Sequence, residues 1–203
     1  MSDYQFKDPL EEFSYSLGLT ISSNLLQSGV KNIDALQFLA GLQDVFSGNI
    51  PKISADRANQ VLQDFMQSEG DEVSKQNLED GLMFLADNIN NAGVIETETG
   101  LQYKVINAGN GEYPTIDDEV KCHYHGTLID NTVFDSSVER KQPAVFPVNG
   151  VIQGWTEALQ MMPVGAKWRL FIPSNLAYGE EGAGGLIGPN ATLIFDVELL
   201  EIV

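Results

Sequence analysis

The sequence predicts an α+β chain. An all-helical N-terminal part and a long connecting helix precede a curved antiparallel sheet wrapped on one short helix. Three observations predict it. Hydrophobic periodicity is helical before Gly93 and close to two after it. Four alternating runs, set apart by glycine or proline, follow that change. Among them only residues 154–162 repeat at helical spacing, through Trp155, Leu159 and Met162.

The elements follow in order. "DPLEEFSYSLGLTISSNLLQSG" opens with Asp8 as N-cap, Pro9 at the first helical position and acids in the first turn, and Gly29 is its expected stop. "DALQFLAGLQDVFSG" repeats the scheme from Asp34 to Gly48. A third helix starts at Ser54, after Pro51, and no strong stop precedes Gly93, a span of about 40 residues or roughly 60 Å. Gly70 and Gly81 weaken it by about 1 kcal/mol each relative to alanine, so its continuity is open. Its apolar residues form two clusters, Val61, Leu62, Phe65 and Met66 near the start and Leu78, Leu82, Leu85 and Ile89 near the end. The polar "QSEGDEVSKQN" between them reads as an exposed shaft.

The two short helices and the start of the third make only about 60 residues, where a lone core is marginal. They are nonetheless rich in Phe13, Tyr15, Leu17, Leu25, Leu36, Phe38, Leu39, Leu42 and Phe46. Either they form a small self-contained bundle or they share this apolar excess with a second copy. After Gly93, Leu101, Tyr103 and Val105 alternate, as do Val120, Cys122 and Tyr124, then Trp168, Leu170 and Ile172, and last Leu193, Phe195, Val197 and Leu199. Such runs describe an antiparallel sheet with one buried face.

Composition excludes some functions. The net charge of −18 is spread over both parts of the chain, and such a field repels nucleic acid and anionic membrane. No stretch approaches the apolar length of a bilayer span. Cys122 is alone, so no intrachain disulfide forms. The start "MSDYQFKDPLEE" lacks the basic beginning and apolar core of a secretion signal. The expected compartment is the cytoplasm; an exported or surface-anchored chain with its signal removed is the alternative.

Trp155 follows Gly150, Val151, Ile152 and Gly154 at the mouth of the short helix. On residue type alone it reads as a core tryptophan. Its company changes that reading. Tyr124, Phe134, Phe146, Phe195 and Tyr178 lie on strands or flanking loops expected to converge at one end of the sheet, a bowl of aromatic walls suited to a weakly polar ligand.

The stretches "VKCHYHGTLIDNTVFDSS", "PVNGVIQGWTEALQMMPVGAKWRLFIPSNLAYG" and "NATLIFDVELLEI" resemble the FKBP-type peptidyl-prolyl isomerases, the tacrolimus-binding proteins, over essentially all of residues 95–203. The first 92 residues, with "SYSLGL" and a long third helix, resemble the two-domain bacterial branch that includes the macrophage infectivity potentiator and its cytoplasmic relatives. The resemblance implies a helical dimerisation domain at 1–53, a connecting helix at 54–92 whose start packs in that domain, and an FKBP-type isomerase domain at 93–203. It implies a homodimer that assists folding, proline-containing peptides and unfolded chains as partners, tacrolimus- or rapamycin-type inhibitors, and no cofactor or metal.

Carried over by position, the resemblance makes Trp155 the floor of a prolyl pocket, with Tyr124, Phe134, Phe146, Val151, Ile152 and Phe195 around it. Asp135 sits at the rim, held by Tyr124 and Arg140, while the Ile152 N–H and the Tyr178 hydroxyl take substrate carbonyls. Asp135, Tyr178, Tyr124 and Ile152 are thus the expected catalytic set. Two departures stand out. Ala144 replaces an aromatic of some relatives, and Ala183 and Gly184 in "EEGAGGLIG" replace a His-Pro pair. Both are expected to alter the preferred residue before proline.

Other motifs are weaker. His123 and His125 share a strand face at a spacing zinc sites use, but no third ligand accompanies them. Asp135 as a general base is less economical than an electrostatic role beside Arg140. "GAGGLIG" follows Glu180 and Glu181, which would repel a phosphate. The alternative to an isomerase is a non-catalytic module of the same fold that holds client chains in its bowl.

Overall fold

The structure, a computed structural model, describes residues 4–28, 30 and 32–203. The chain forms two compact units, Met1–Ser68 and Glu69–Val203.

The first unit contains α1 (Pro9–Gln27), α2 (Ala35–Phe46) and the start of α3 (Ala55–Asn88). The local signals act as expected. The Asp8 carboxylate accepts the Glu11 N–H at 2.9 Å, and Asp34 accepts those of Leu36 and Gln37 at 2.9 and 3.1 Å. Gly48, at φ +67°, lets Asn49 N–H reach back to the Asp44 carbonyl at 2.9 Å and closes α2. The expected stop at Gly29 lies outside the described residues. No described residue of this unit is buried. Phe46 is 83% exposed and Phe13 62%.

α3 runs unbroken through Gly70 and Gly81 for 34 residues, about 51 Å. It is shorter than the sequence suggests because it closes at Asn88, whose carbonyl takes the Asn91 N–H at 2.9 Å. The two glycines differ. A Cβ at Gly70 would meet open space, whereas one at Gly81 would lie 2.3 Å from Thr192 Oγ1. Gly70→Ala is therefore expected to stabilise the protein by about 0.5–1 kcal/mol. Gly81→Ala is expected to destabilise it by about 1–3 kcal/mol through overpacking. Urea unfolding followed by tryptophan emission checks both; a stabilising Gly81→Ala would mean that the Gly81–Thr192 contact is not tight, and a destabilising Gly70→Ala would mean that position 70 is not free.

Besides the rest of α3, the second unit holds seven antiparallel strands and one short α-helix, α4 (Gln153–Met161). The strands are β1 (Val94–Glu96), β2 (Gln102–Asn107), β3 (Glu119–Leu128), β4 (Val133–Ser136), β5 (Ala144–Pro147), β6 (Lys167–Ile172) and β7 (Leu193–Ile202). Their order is β1-β2-β6-β7-β3-β4; β5 pairs the first half of β3 and β4 its second half. The alternating residues of β3, β6 and β7 are buried with Leu159 of α4 and Met162, which caps that helix. Both tryptophans lie in this core. So does Cys122, where burial pushes the thiol pKa up to about 12 and keeps it protonated and unreactive.

The sheet departs from the expected single buried face. Gln102 and Phe171 on its other face are also buried, covered by the end of α3. Asn88 Nδ2 donates to Gln102 Oε1 at 2.9 Å, Gln102 Nε2 donates to the Leu85 carbonyl at 2.9 Å, and Phe84 packs on Phe171 with ring centroids 5.9 Å apart. The apolar spacing of α3 indicated a different stripe: Leu78, Leu82 and Ile89 are exposed, while Asn77, Gly81, Leu85 and Asn88 turn inward. Val105 is likewise exposed rather than alternating into the core.

Candidate active site

Period-two alternation on β3 and β7 brings Tyr124 and Phe195 to the inner face, and the first turn of α4 delivers Trp155 between them. Gly154 allows this approach, since a Cβ there would lie 2.5 Å from Ile172 Cγ2. Thr156 Oγ1 donates to the Val148 carbonyl at 2.8 Å and fixes the helix start against the preceding turn. Trp155 is met edge-on by Tyr124, Phe146 and Phe195, with centroids 5.5, 5.7 and 5.2 Å away.

These rings form the floor and walls of a cavity of about 600 Å³. Every residue expected to bind substrate lines it: Tyr124, Phe134, Asp135, Phe146, Val151, Ile152, Trp155, Tyr178 and Phe195. Ala144 does not; it sits on β5 paired with Cys122. Among the described residues no group accepts the Ile152 N–H.

Polar groups concentrate at the rim. The Tyr124 hydroxyl donates to Asp135 Oδ2 at 2.5 Å, and Arg140 donates to Asp135 Oδ1 and, at 2.8 Å, to the Tyr124 oxygen. Partial burial raises the Asp135 pKa, but the hydrogen bonds from Tyr124 and Arg140 and the charge of Arg140 outweigh it, and the carboxyl lies below its ordinary range. Tyr124 is raised, by burial first and then by its bond to Asp135. The phenol therefore stays a neutral donor and Asp135 an acceptor. Since this carboxylate is favoured by folding, its contribution is complete above the ordinary aspartate range and is lost as pH falls through the lowered folded value. If Asp135 has the electrostatic role expected of it, no proton moves and activity at this site should be flat between about pH 5.5 and 8.5. A bell-shaped profile across that window would mean that a titrating group moves a proton, and would overturn the electrostatic reading of the site.

The sequence reading missed several contributors. Ser137, fully buried, accepts the Tyr124 N–H at 2.7 Å and donates to its carbonyl at 3.2 Å, fixing the strand where the tyrosine leaves it. Gly150, Leu186 and Ile187 complete the lining with Ala183 and Gly184. Ala183 and Ile187 exchange two backbone hydrogen bonds, at 2.8 and 3.0 Å, so the glycine-rich loop is a small hairpin over the cavity. Two of the N–H groups a phosphate would need are thus already used. His123 and His125 bond to Ser137 and Ser136. Among the described residues no three His, Cys, Asp or Glu side chains cluster as metal ligands.

Comparison with known proteins gives consistent matches. The family described as FKBP-type peptidyl-prolyl cis-trans isomerase matches residues 110–200, and the domain amino terminal to it matches residues 10–105. An FKBP-type 22 kDa peptidyl-prolyl cis-trans isomerase of Escherichia coli is 47% identical, over 93% of each chain. The peptidyl-prolyl cis-trans isomerase Mip of Coxiella burnetii is 43% identical, over 97% of this chain and 88% of its own. The crystal structure of FkpA from Escherichia coli covers 98% of both chains at 37% identity, with a TM-score of 0.72.

Proposed function

The chain belongs to the FKBP-type peptidyl-prolyl cis-trans isomerases, and from that premise we propose how its pocket works and what its first unit adds. It is an enzyme acting on proline-containing peptides. The observation that carries the site assignment is the Trp155 floor ringed by three aromatic edges, with one buttressed carboxylate at the rim.

An X–Pro bond turns slowly because rotation breaks C–N resonance, a barrier of about 18–20 kcal/mol. Water bonded to the carbonyl favours the planar, charge-separated amide. The aromatic cavity strips that water, and the twisted amide, with less charge separation, loses less by the transfer. In our reading the proline ring stacks over Trp155 between Tyr124, Phe146 and Phe195. Ile152 N–H and the Tyr178 hydroxyl hold substrate carbonyls, and Asp135 fixes Tyr124 and the local field without moving a proton.

The first unit is proposed to dimerise. It has no buried described residue yet carries Phe13, Leu36, Phe46 and Phe65 on its surface, so its core requires a second copy. The clients proposed for the dimer are unfolded or folding chains. No described helix is long and apolar enough to cross a membrane. Fractionation of cells carrying a tagged chain separates the proposed cytoplasmic compartment from export.

A protease-coupled assay on a Leu–Pro or Phe–Pro tetrapeptide, run beside Trp155 fluorescence in a Trp168→Phe variant, tests the site. Acceleration that tacrolimus abolishes, with a change in Trp155 emission, is the expected result. Activity with an emission indifferent to saturating tacrolimus would remove Trp155 from the floor. An inert protein that still binds would leave a holding module. Asp135→Leu is expected to lower turnover by about threefold to tenfold while the domain stays folded.

A further inference from the structure

The hairpin over the cavity is poorly built to hold itself. Residues 179–190 include Gly179, Gly182, Gly184, Gly185 and Gly188, and the first four have positive φ between 55° and 74°. Glycine loses the most conformational freedom on ordering, so such a segment needs anchoring from outside. Yet Ala183, Gly184, Leu186 and Ile187 wall the pocket.

The anchor is the long helix. Asn77 Nδ2 on α3 donates to the Pro189 carbonyl at 2.7 Å. Asn190 Nδ2 donates to Ser74 Oγ at 2.8 Å, one turn earlier on the same helix. A Cβ on Gly188 would lie 3.0 Å from Asn77 Nδ2, so this glycine lets the chain lie against the helix. Asn190 also closes the loop on itself: its N–H donates to the Gly179 carbonyl at 2.7 Å, next to Tyr178. It holds φ +53°, a conformation asparagine tolerates better than most residues. All three side chains are half-buried. This polar face, with Gly81 seated on Thr192 one turn further along, is the face that apolar periodicity did not reveal.

We infer that Asn77, Ser74 and Asn190 are positioning residues: they clamp the 179–190 loop to α3 and so set which residue is accepted before proline. The inference rests on the reading of the cavity as the X–Pro site. Part of the pocket wall therefore has its footing on a helix that begins in the first unit. Sequence variation at helix positions 74 and 77 would change specificity without touching substrate.

The test is kcat/KM on a tetrapeptide panel with Ala, Glu, Leu and Phe before proline, for the intact protein and for Asn77→Ala, Asn190→Gly and their combination. Glycine suits the left-handed backbone at 190. The expected result is an uneven loss, about three- to tenfold for Leu and Phe but under about twofold for Ala, carried mostly by KM. Hydrogen exchange should quicken in residues 179–190 and stay unchanged in β3 and β7. Ser74→Thr keeps the hydroxyl and should keep the parent profile. If the double variant does not fold, Ser74→Ala reads the same panel with one bond removed. An unchanged profile, or an equal loss on all four peptides, would overturn the inference. Asp135→Leu serves as the reference: if it also leaves every peptide unaffected, the pocket reading has failed rather than the clamp.

Discussion

A chain cut to residues 69–203 is expected to sediment as a monomer, to isomerise a tetrapeptide at close to the intact rate, and to lose about tenfold or more of its effect on refolding of a proline-limited protein. Every pocket residue lies beyond the cut, as do the sheet, α4 and the part of α3 that covers Gln102 and Phe171. A short peptide uses one pocket and does not sense the second copy. In the proposed dimer a long client held at one pocket meets the other at high local concentration, and that gain disappears in a monomer. The position of the cut matters. Starting at Gly93, where the sequence periodicity changes, would delete Phe84, Leu85 and Asn88 and uncover Phe171, whose burial alone is worth about 1.5–3 kcal/mol. The shorter fragment should melt measurably lower. Equal refolding activity of intact protein and the 69–203 fragment would mean that the first unit captures no client; a monomeric intact protein would remove the proposed assembly.

Gly126→Ala is expected to lower kcat/KM by about tenfold or more and stability by about 1–3 kcal/mol. Gly126 lies on β3 beneath two walls of the cavity. A Cβ there would stand 2.6 Å from Phe134 Cε2 and 2.7 Å from Phe195 Cε1. Neither ring can swing away freely, because they meet each other edge-on at 5.3 Å and Phe195 also abuts Trp155 at 5.2 Å. One methyl group should therefore tilt both walls and the floor. Steady-state kinetics and a thermal melt measure the two effects, and a parental rate in a folded variant would show that these rings do not shape the bound state.

Much of this site is legible in the amino-acid sequence. Tyr124 stands between His123 and His125, and Phe195 shares the period-two face of Leu193, Val197 and Leu199, so their inward direction follows from the pleat. Trp155 is marked by Gly154 beside it and by the helical spacing of Leu159 and Met162. What stayed hidden depends on partners far away in the chain. Asn88 and Gln102 are polar residues that become core only because each satisfies the other. Leu78 and Leu82 have the spacing of a packed stripe, yet the helix turns Asn77 and Gly81 inward, where a carbonyl and a threonine wait for them. Ser137 reads as an ordinary loop serine until both backbone groups of Tyr124 are seen on its hydroxyl.

The uncovered helices of the first unit also have a consequence for reaction order. The second unit has its own core and can fold in a unimolecular step, slowed by its long-range antiparallel pairings. The first unit, in the proposed assembly, reaches a closed core only by encounter, so its consolidation is second order in chain concentration. Both tryptophans lie in the second unit, and most of the first unit is helix. After dilution from denaturant, indole emission should recover at a rate independent of concentration. Helical ellipticity should show an additional phase that quickens as the chains are concentrated.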